Sequence, residues 1–355
     1  MKRKLFHVIA AALCVFTIST SAATAPDPMQ ARKELTAMGL SYNSQDQFLS
    51  AIRKKDKIAI NLFLAGKGID LNAREEKSDE TAFSIAYKTG DMEFAKYLLK
   101  LGAAPQPEDL VYAIMKDNRG FFQEMLSASA FTKAVITESV IWAAIHTEKR
   151  DVVEQLLQFV DDTNAAKAIY TRTIIGMIVK PSLRDPVLIE SALKRMGGNA
   201  KVMLNKTGLI SMQKTNWMPY RPLNYAAVED SKADIIPVLI KYGADVNGID
   251  LITTRRGPSG GMEARVPETP LMTAVRRQNI PAISSLLKAG ADPNQVIVQD
   301  TFGFFAISTH KVTALSYVEV TSSMRKGDKN FEENQAEIVR LLKEAGAKTP
   351  DEIKG

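Results

Sequence analysis

One order of apolar and polar positions recurs along most of the chain. In TPLMTAVRRQNIPAISSLLKAGADPNQ (269–295) an apolar residue is followed three places on by alanine, then by a paired apolar segment, then by Gly-Ala. RPLNYAAVEDSKADIIPVLIKYGADVNG (221–248) and TAFSIAYKTGDMEFAKYLLKLGAAPQP (81–107) show the same order. Leu271 and Gly290 are 19 residues apart, as are Phe83 and Gly102, while Leu223 and Gly243 are 20 apart. Residues three and four apart share one side of a helix, so each segment predicts two short helices with a common buried side.

Each residue type suits its place. Thr269 can accept hydrogen bonds from free amides at a helix start, and Pro270 fits the first helical position, where no N–H partner is needed. Leu271 and the small Ala274 share a face that lets a neighbouring helix approach. Leu286 and Leu287 supply the buried side of the second helix, and Gly290 fits the left-handed conformation that ends it. Spacings of 20 to 50 residues signal repeat architectures. This pattern resembles the ankyrin repeat, whose first helix opens with a T-P-L-H-x-A signature.

The resemblance implies an all-α solenoid of about eight helix-turn-helix units, each burying its apolar side against its neighbours. The units are placed at 46–75, 80–107, 108–133, 138–165, 171–200, 221–248, 269–295 and 313–350. The first is marked by Phe48, Ala51 and Leu62-Phe63-Leu64, the third by Leu110 and Ala113, and the fourth by Ile141, Ala144 and Leu156-Leu157. The third has Ser129-Ala130 where Gly-Ala is expected. The fifth is degenerate, recognisable by Ala192-Leu193 and Gly197. Residues 24–45 read as a loosely ordered lead-in, and 351–355 as a tail.

Two turns between units are overgrown. The step from a closing Asn to the next opening Thr is about eight residues in a 33-residue repeat. Here Asn247 to Thr269 is 22 and Asn294 to Thr313 is 19. These predict β-hairpin-like fingers in the C-terminal half, on a face that repeat proteins use for binding. A further irregular stretch, NKTGLISMQKTNWMPY (205–220), precedes the sixth unit. EVTSSMRKGDKNFEENQ (319–335) reads as an insertion between the helices of the last. Trp217, Tyr220, Arg255, Arg256, Phe302, Phe304 and Phe305 concentrate in these extensions, with His310 beside Lys311. Aromatic residues and arginine are enriched at interface hot spots. All eight are candidate partner-binding residues. The competing assignment for the rings is that they fold back over the solenoid's own apolar side.

Composition narrows the chemistry. Lys2-Arg3-Lys4, the apolar run Leu5–Ile18 and SAATA (21–25) have the layout of a secretory signal peptide cleaved after Ala23. The run is too short for the roughly 20 residues that span a bilayer, although a retained anchor is the alternative. Cleavage removes the only cysteine, Cys14, and with it any disulfide or thiolate chemistry. It also lowers the net charge from +6 to +3, too small a surplus to suggest nucleic acid. His146 and His310 have no metal-ligand spacing, and GPSGG lacks the Lys-hydroxyl ending of a phosphate loop. Carboxylates in stretches such as KTGDMEF read as solvated helix faces.

No catalytic residue, cofactor or metal is expected. Ankyrin proteins generally serve as rigid platforms for other proteins, and the resemblance implies that role here. With the signal peptide, the expected setting is the periplasm, with secretion as the alternative. The expected partner is another protein, either a toxic enzyme neutralised by an immunity-type inhibitor or a resident enzyme that is scaffolded or protected. A monomer is expected when free. An enzyme acting on envelope polymers and a secreted effector are the remaining alternatives.

Overall fold

A computed structural model describes residues 27–159, 167–205, 208–213, 216–253, 265–302, 307–322 and 329–353. The signal-peptide assignment falls outside them. The chain divides into two compact units, Met1–Val135 and Ile136–Gly355.

The described part of the first unit is helical. Helix α1 (Pro28–Ala37) is followed by the pairs α2 (Gln45–Arg53) and α3 (Lys57–Gly66), α4 (Ala82–Lys88) and α5 (Met92–Lys100), and α6 (Pro107–Met115) and α7 (Arg119–Leu126). Helix α1 lies in the stretch read as a lead-in, and that reading is corrected. Asp27 caps it, Ala31 and Leu35 are fully buried, and it packs on α3. Its Arg32 Nε donates to the Gly66 carbonyl at 2.8 Å. An apolar pair four residues apart, next to a solenoid end that must be covered, orders this segment.

The second unit holds the pairs α8 (Glu138–His146) and α9 (Arg150–Leu157), and α10 (Lys167–Val179) and α11 (Pro186–Arg195). A short α12 (Asn199–Leu204) follows. The remaining pairs are α13 (Pro222–Ala226) and α14 (Ile236–Lys241), α15 (Pro270–Arg277) and α16 (Ile280–Lys288), and α17 (Ala314–Ser322) and α18 (Lys329–Glu344). First helices α8, α10, α13, α15 and α17 pack in sequence, and second helices α9, α11, α14, α16 and α18 form the other layer. The degenerate fifth pair therefore continues the stack. Gly176 of α10 lies at the close approach to α8, where a Cβ would lie 3.0 Å from the Ile145 side chain and 3.1 Å from that of Trp142.

Local chemistry explains the pairs. Thr81, Thr269 and Thr313 accept from the amides of Ser84, Met272 and Ser316, three residues on. Second helices start the same way, from Asp56, Asp91, Asn118 and Asn279. The residue before each of these caps, Lys55, Gly90, Asp117 or Gln278, has positive φ. One left-handed residue followed by a capping Asp or Asn reverses the chain between the helices. Asp91 of KTGDMEF is thus a cap rather than a solvated helix-face charge. Gly290 has φ +88° as expected, Leu271, Ala274 and Leu286 are buried, and Leu287 is only half-buried. In the sixth unit, the one with the longer spacing, a 3-10 helix over Asp230–Ile235 separates the helices. Its buried Lys232 lies 4.2 Å from the Tyr225 ring centre and 3.0 Å from the Glu229 carboxylate.

Three antiparallel hairpins complete the second unit: β1 (Gly208–Gln213) with β2 (Asn216–Tyr220), β3 (Asp250–Thr253) with β4 (Arg265–Glu268), and β5 (Ile297–Phe302) with β6 (Ile307–Val312). β2 neighbours β3 and β4 neighbours β5, so the hairpins stand in a row. Two expectations are corrected. The irregular stretch 205–220 is a third finger of the same kind. Much of 319–335 is helix, because α17 runs on to Ser322 and α18 begins at Lys329.

Candidate protein-binding surface

Each finger starts at an asparagine that ties two repeats together. Asn205 accepts from the Asp245 amide at 2.8 Å, Asn247 from the Asp292 amide at 2.8 Å, and Asn294 from the Lys348 amide at 2.7 Å. The amides of Asn205 and Asn294 donate in turn to the Gly243 and Gly346 carbonyls. In the first unit Asn72 accepts from the Ala104 amide at 2.7 Å. Asn247 and Asn294 were legible as closing residues of their repeats. Asn205 was hidden because no Gly-Ala precedes it. Replacing Asn294 by alanine removes both bonds, and at about 1 kcal/mol for each should lower the unfolding free energy measured in urea by about 1–2 kcal/mol, seen as a lower midpoint. An unchanged midpoint would show that the ladder contributes nothing to stability.

The base of the fingers is a buried polar cluster. Asp250 on β3 stands opposite Glu268 on β4, and both are buried. Asp250 accepts from the Arg221 amide. Glu268 accepts from Thr273 Oγ1 at 2.9 Å, from Arg276 Nε at 2.7 Å and Nη2 at 3.1 Å, and from Tyr317 Oη at 2.6 Å. Burial, with the Glu268 carboxylate next, pushes the Tyr317 pKa well up, so its hydroxyl stays a donor. Gln299 Nε2 on β5 donates to the Pro267 carbonyl on β4 at 2.8 Å, linking adjacent fingers. Asn279 Nδ2 donates to Ala227 at 3.1 Å, joining the sixth and seventh pairs beneath them. Charges that leave water must be paired and hydrogen-bonded; Glu268 meets both conditions through Arg276, Thr273 and Tyr317, while Asp250 is held by the Arg221 amide. The fingers therefore rise from a fixed base.

The residues singled out from sequence distribute over this row. Trp217 and Tyr220 lie on β2, in register with Ser211 and Gly208. Phe302 ends β5 opposite Ile307, and His310 on β6 is exposed opposite Gln299. Arg255, Arg256, Phe304 and Phe305 lie outside the described residues. His146 ends α8 and is exposed. Sequence reasoning missed Glu268 and the exposed Ile249, Leu251, Val296 and Val298 at the finger bases. No local sequence signal marked them, because the burial of the intervening Asp250 and Ile297 appears only with the hairpins in place. Among the described residues, no three His, Cys, Asp or Glu side chains group as a metal site, and no helix is long and apolar enough to cross a membrane.

Residues 268–297, which run from Glu268 through α15 and α16, match the family described as Ankyrin repeat. The chain is similar to ankyrin repeat protein nuc-2 of Neurospora crassa, at 21% identity over 253 residues. That match covers 70% of this chain and 21% of the relative, so the chain spans only a small part of that protein's length. It is also similar to the crystal structure of the Legionella pneumophila effector AnkC, at 16% identity and a TM-score of 0.40, covering 90% of this chain and 83% of that one. With a matched repeat at 268–297 and helix pairs of the same build before and after it, this chain has the fold of an ankyrin-repeat protein.

Proposed function

We propose that the chain is a non-catalytic protein-binding scaffold that grips its partner with the finger row of the second unit. In its narrower form, the reading is an immunity-type inhibitor that covers the active site of a toxic enzyme in the periplasm. One observation carries it. Three successive fingers are lengthened into hairpins standing side by side, and their bases are locked by Glu268, Asp250 and Gln299. A rigid platform loses little entropy on docking, which favours affinity. The signal-peptide layout supports export, and secretion beyond the envelope is the alternative setting.

The test is capture of a partner from envelope extract by the full exported chain. A second form, with 254–264 and 303–306 each replaced by an Asn-Gly turn, serves as comparison. A partner retained by the first and lost by the second, at equal helical circular dichroism, supports the reading. Equal capture by both overturns it, as does capture of nothing. Loss of the partner's enzymatic activity in the complex marks an inhibitor, and retained activity marks a protector of a resident enzyme.

A further inference from the structure

We infer that the outer face of the second and third fingers is a docking strip for a partner protein whose contact surface is apolar at its centre and acidic at its rim. The inference deepens the proposed function and rests on it. Ile249 and Leu251 follow Asn247 by two and four places, and Val296 and Val298 follow Asn294 in the same way. They are 43%, 48%, 38% and 54% exposed. Between them stand buried Asp250 and Ile297, and Gln299 beyond Val298 is buried too. Successive strand residues point to opposite faces. Ile297 and Val312 pack with Met272 of α15 and Tyr317 of α17, so the exposed four face away from the helices.

Single exposed apolar residues are ordinary, and a contiguous set is not. Here the set recurs at the same two places after the closing asparagine of two neighbouring fingers, whose strands β4 and β5 are linked through Gln299 and Pro267. A solvated face of an antiparallel pair is normally polar. The corresponding turn of the first unit, which has no strand pair, is polar at these places. Two and four places after Asn72 stand Arg74 and Glu76, and Arg74 is spent on Asp79 at 2.6 Å. The apolar pair at both places therefore belongs to the second and third fingers, since Thr207 stands two places after Asn205 in the first.

Charge decides the occupant. The two finger segments of the strip (249–267 and 296–312) hold four Lys and Arg against three acids, of which Asp250 is buried. Lys311 is exposed directly opposite Val298. A second copy would set like charge on like charge, which costs association. A partner with carboxylates around an apolar centre meets both features, with the basic side chains steering encounter and the strip losing water on contact.

A random-sequence peptide library displayed on phage is the probe, selected on the immobilised full chain. The selected peptides are then measured against Leu251→Ser/Val298→Ser and Lys311→Glu, two variants at exposed positions that should keep the wild-type unfolding midpoint. Expected are peptides combining aliphatic or aromatic residues with Asp or Glu. The double variant should bind them at least about tenfold more weakly, and the charge reversal should bind them less well at low salt. Failure to enrich peptides, enrichment of peptides without acids, or equal binding to the double variant overturns the strip. Repeating the envelope capture with the double variant separates the two ideas. A partner held equally by wild type and double variant, but lost when the finger tips are shortened, overturns the strip and leaves the scaffold reading standing.

Discussion

Glu268→Ala should be among the most destabilising single changes in the second unit, at about 3–5 kcal/mol, because it strips the partner from a buried charge pair. Glu268 is fully buried and receives Arg276, Thr273 and Tyr317 within 3.1 Å. After the change, the Arg276 guanidinium, whose side chain is 21% exposed, loses its carboxylate. The Tyr317 hydroxyl also loses the Glu268 oxygen to which it donates at 2.6 Å. Three elements (β4, α15 and α17) would lose their common anchor at once. Denaturant unfolding of the full chain measures it, with a fall of roughly 10 °C in Tm expected alongside. Glu268→Gln keeps an acceptor oxygen and should fall between. Replacing both Glu268 and Arg276 by apolar residues of similar size should cost less than Glu268→Ala, since buried pairs often exchange for packed hydrophobics at little loss. A loss below about 1 kcal/mol for Glu268→Ala, the size of a single hydrogen bond, would show that the cluster does not lock the fingers.

How far such features could be read in advance depends on how local their causes are. Thr269, Pro270, Leu271, Ala274 and Gly290 act within a turn or one helix, so their spacing alone announced the fold. Asn205, Gly176 and Glu268 act across repeats. Asn205 reaches Asp245, 40 residues on. Gly176 matters only because Ile145 and Trp142 lie against it. Glu268 meets Tyr317 49 residues later. No local pattern distinguishes a buried acid at a finger base from a solvated one until the hairpin register sets it opposite Asp250. The same holds for Leu251 and Val298, which look like ordinary strand residues until their alternate neighbours prove buried. The reversal between paired helices was legible in principle, in KD, GD, DN and QN before each second helix, because a left-handed residue and a capping side chain are both local. α1 escaped because its buried side has only Ala31 and Leu35.

In the first unit, Phe121→Ala should cost about 3–5 kcal/mol, the range for truncating a buried aromatic residue. The Phe121 ring on α7 stacks on Tyr87 of α4 at 4.4 Å and 9°, and on Phe83 at 6.0 Å and 12°. Tyr112 of α6 meets Tyr87 edge-on at 5.3 Å and 88°. All three stacked rings are buried, and burial pushes the Tyr87 hydroxyl pKa up to about 12. Paired rings contribute about 0.5–1.5 kcal/mol beyond their buried area, so both repeats feel the loss. The third pair ends in Ser129-Ala130 rather than Gly-Ala, and Gln106, four places after Gly102, stands where Asn247 and Asn294 stand after Gly243 and Gly290. Phe121→Leu fills part of the space and should cost less than half as much. The control is Tyr97→Ala, whose ring on α5 is 40% exposed and whose loss should stay near 0.5 kcal/mol. Equal unfolding midpoints for Phe121→Ala and Tyr97→Ala would mean that the second and third repeats are joined by backbone and aliphatic contacts, with the ring stack a consequence of their docking and not its cause.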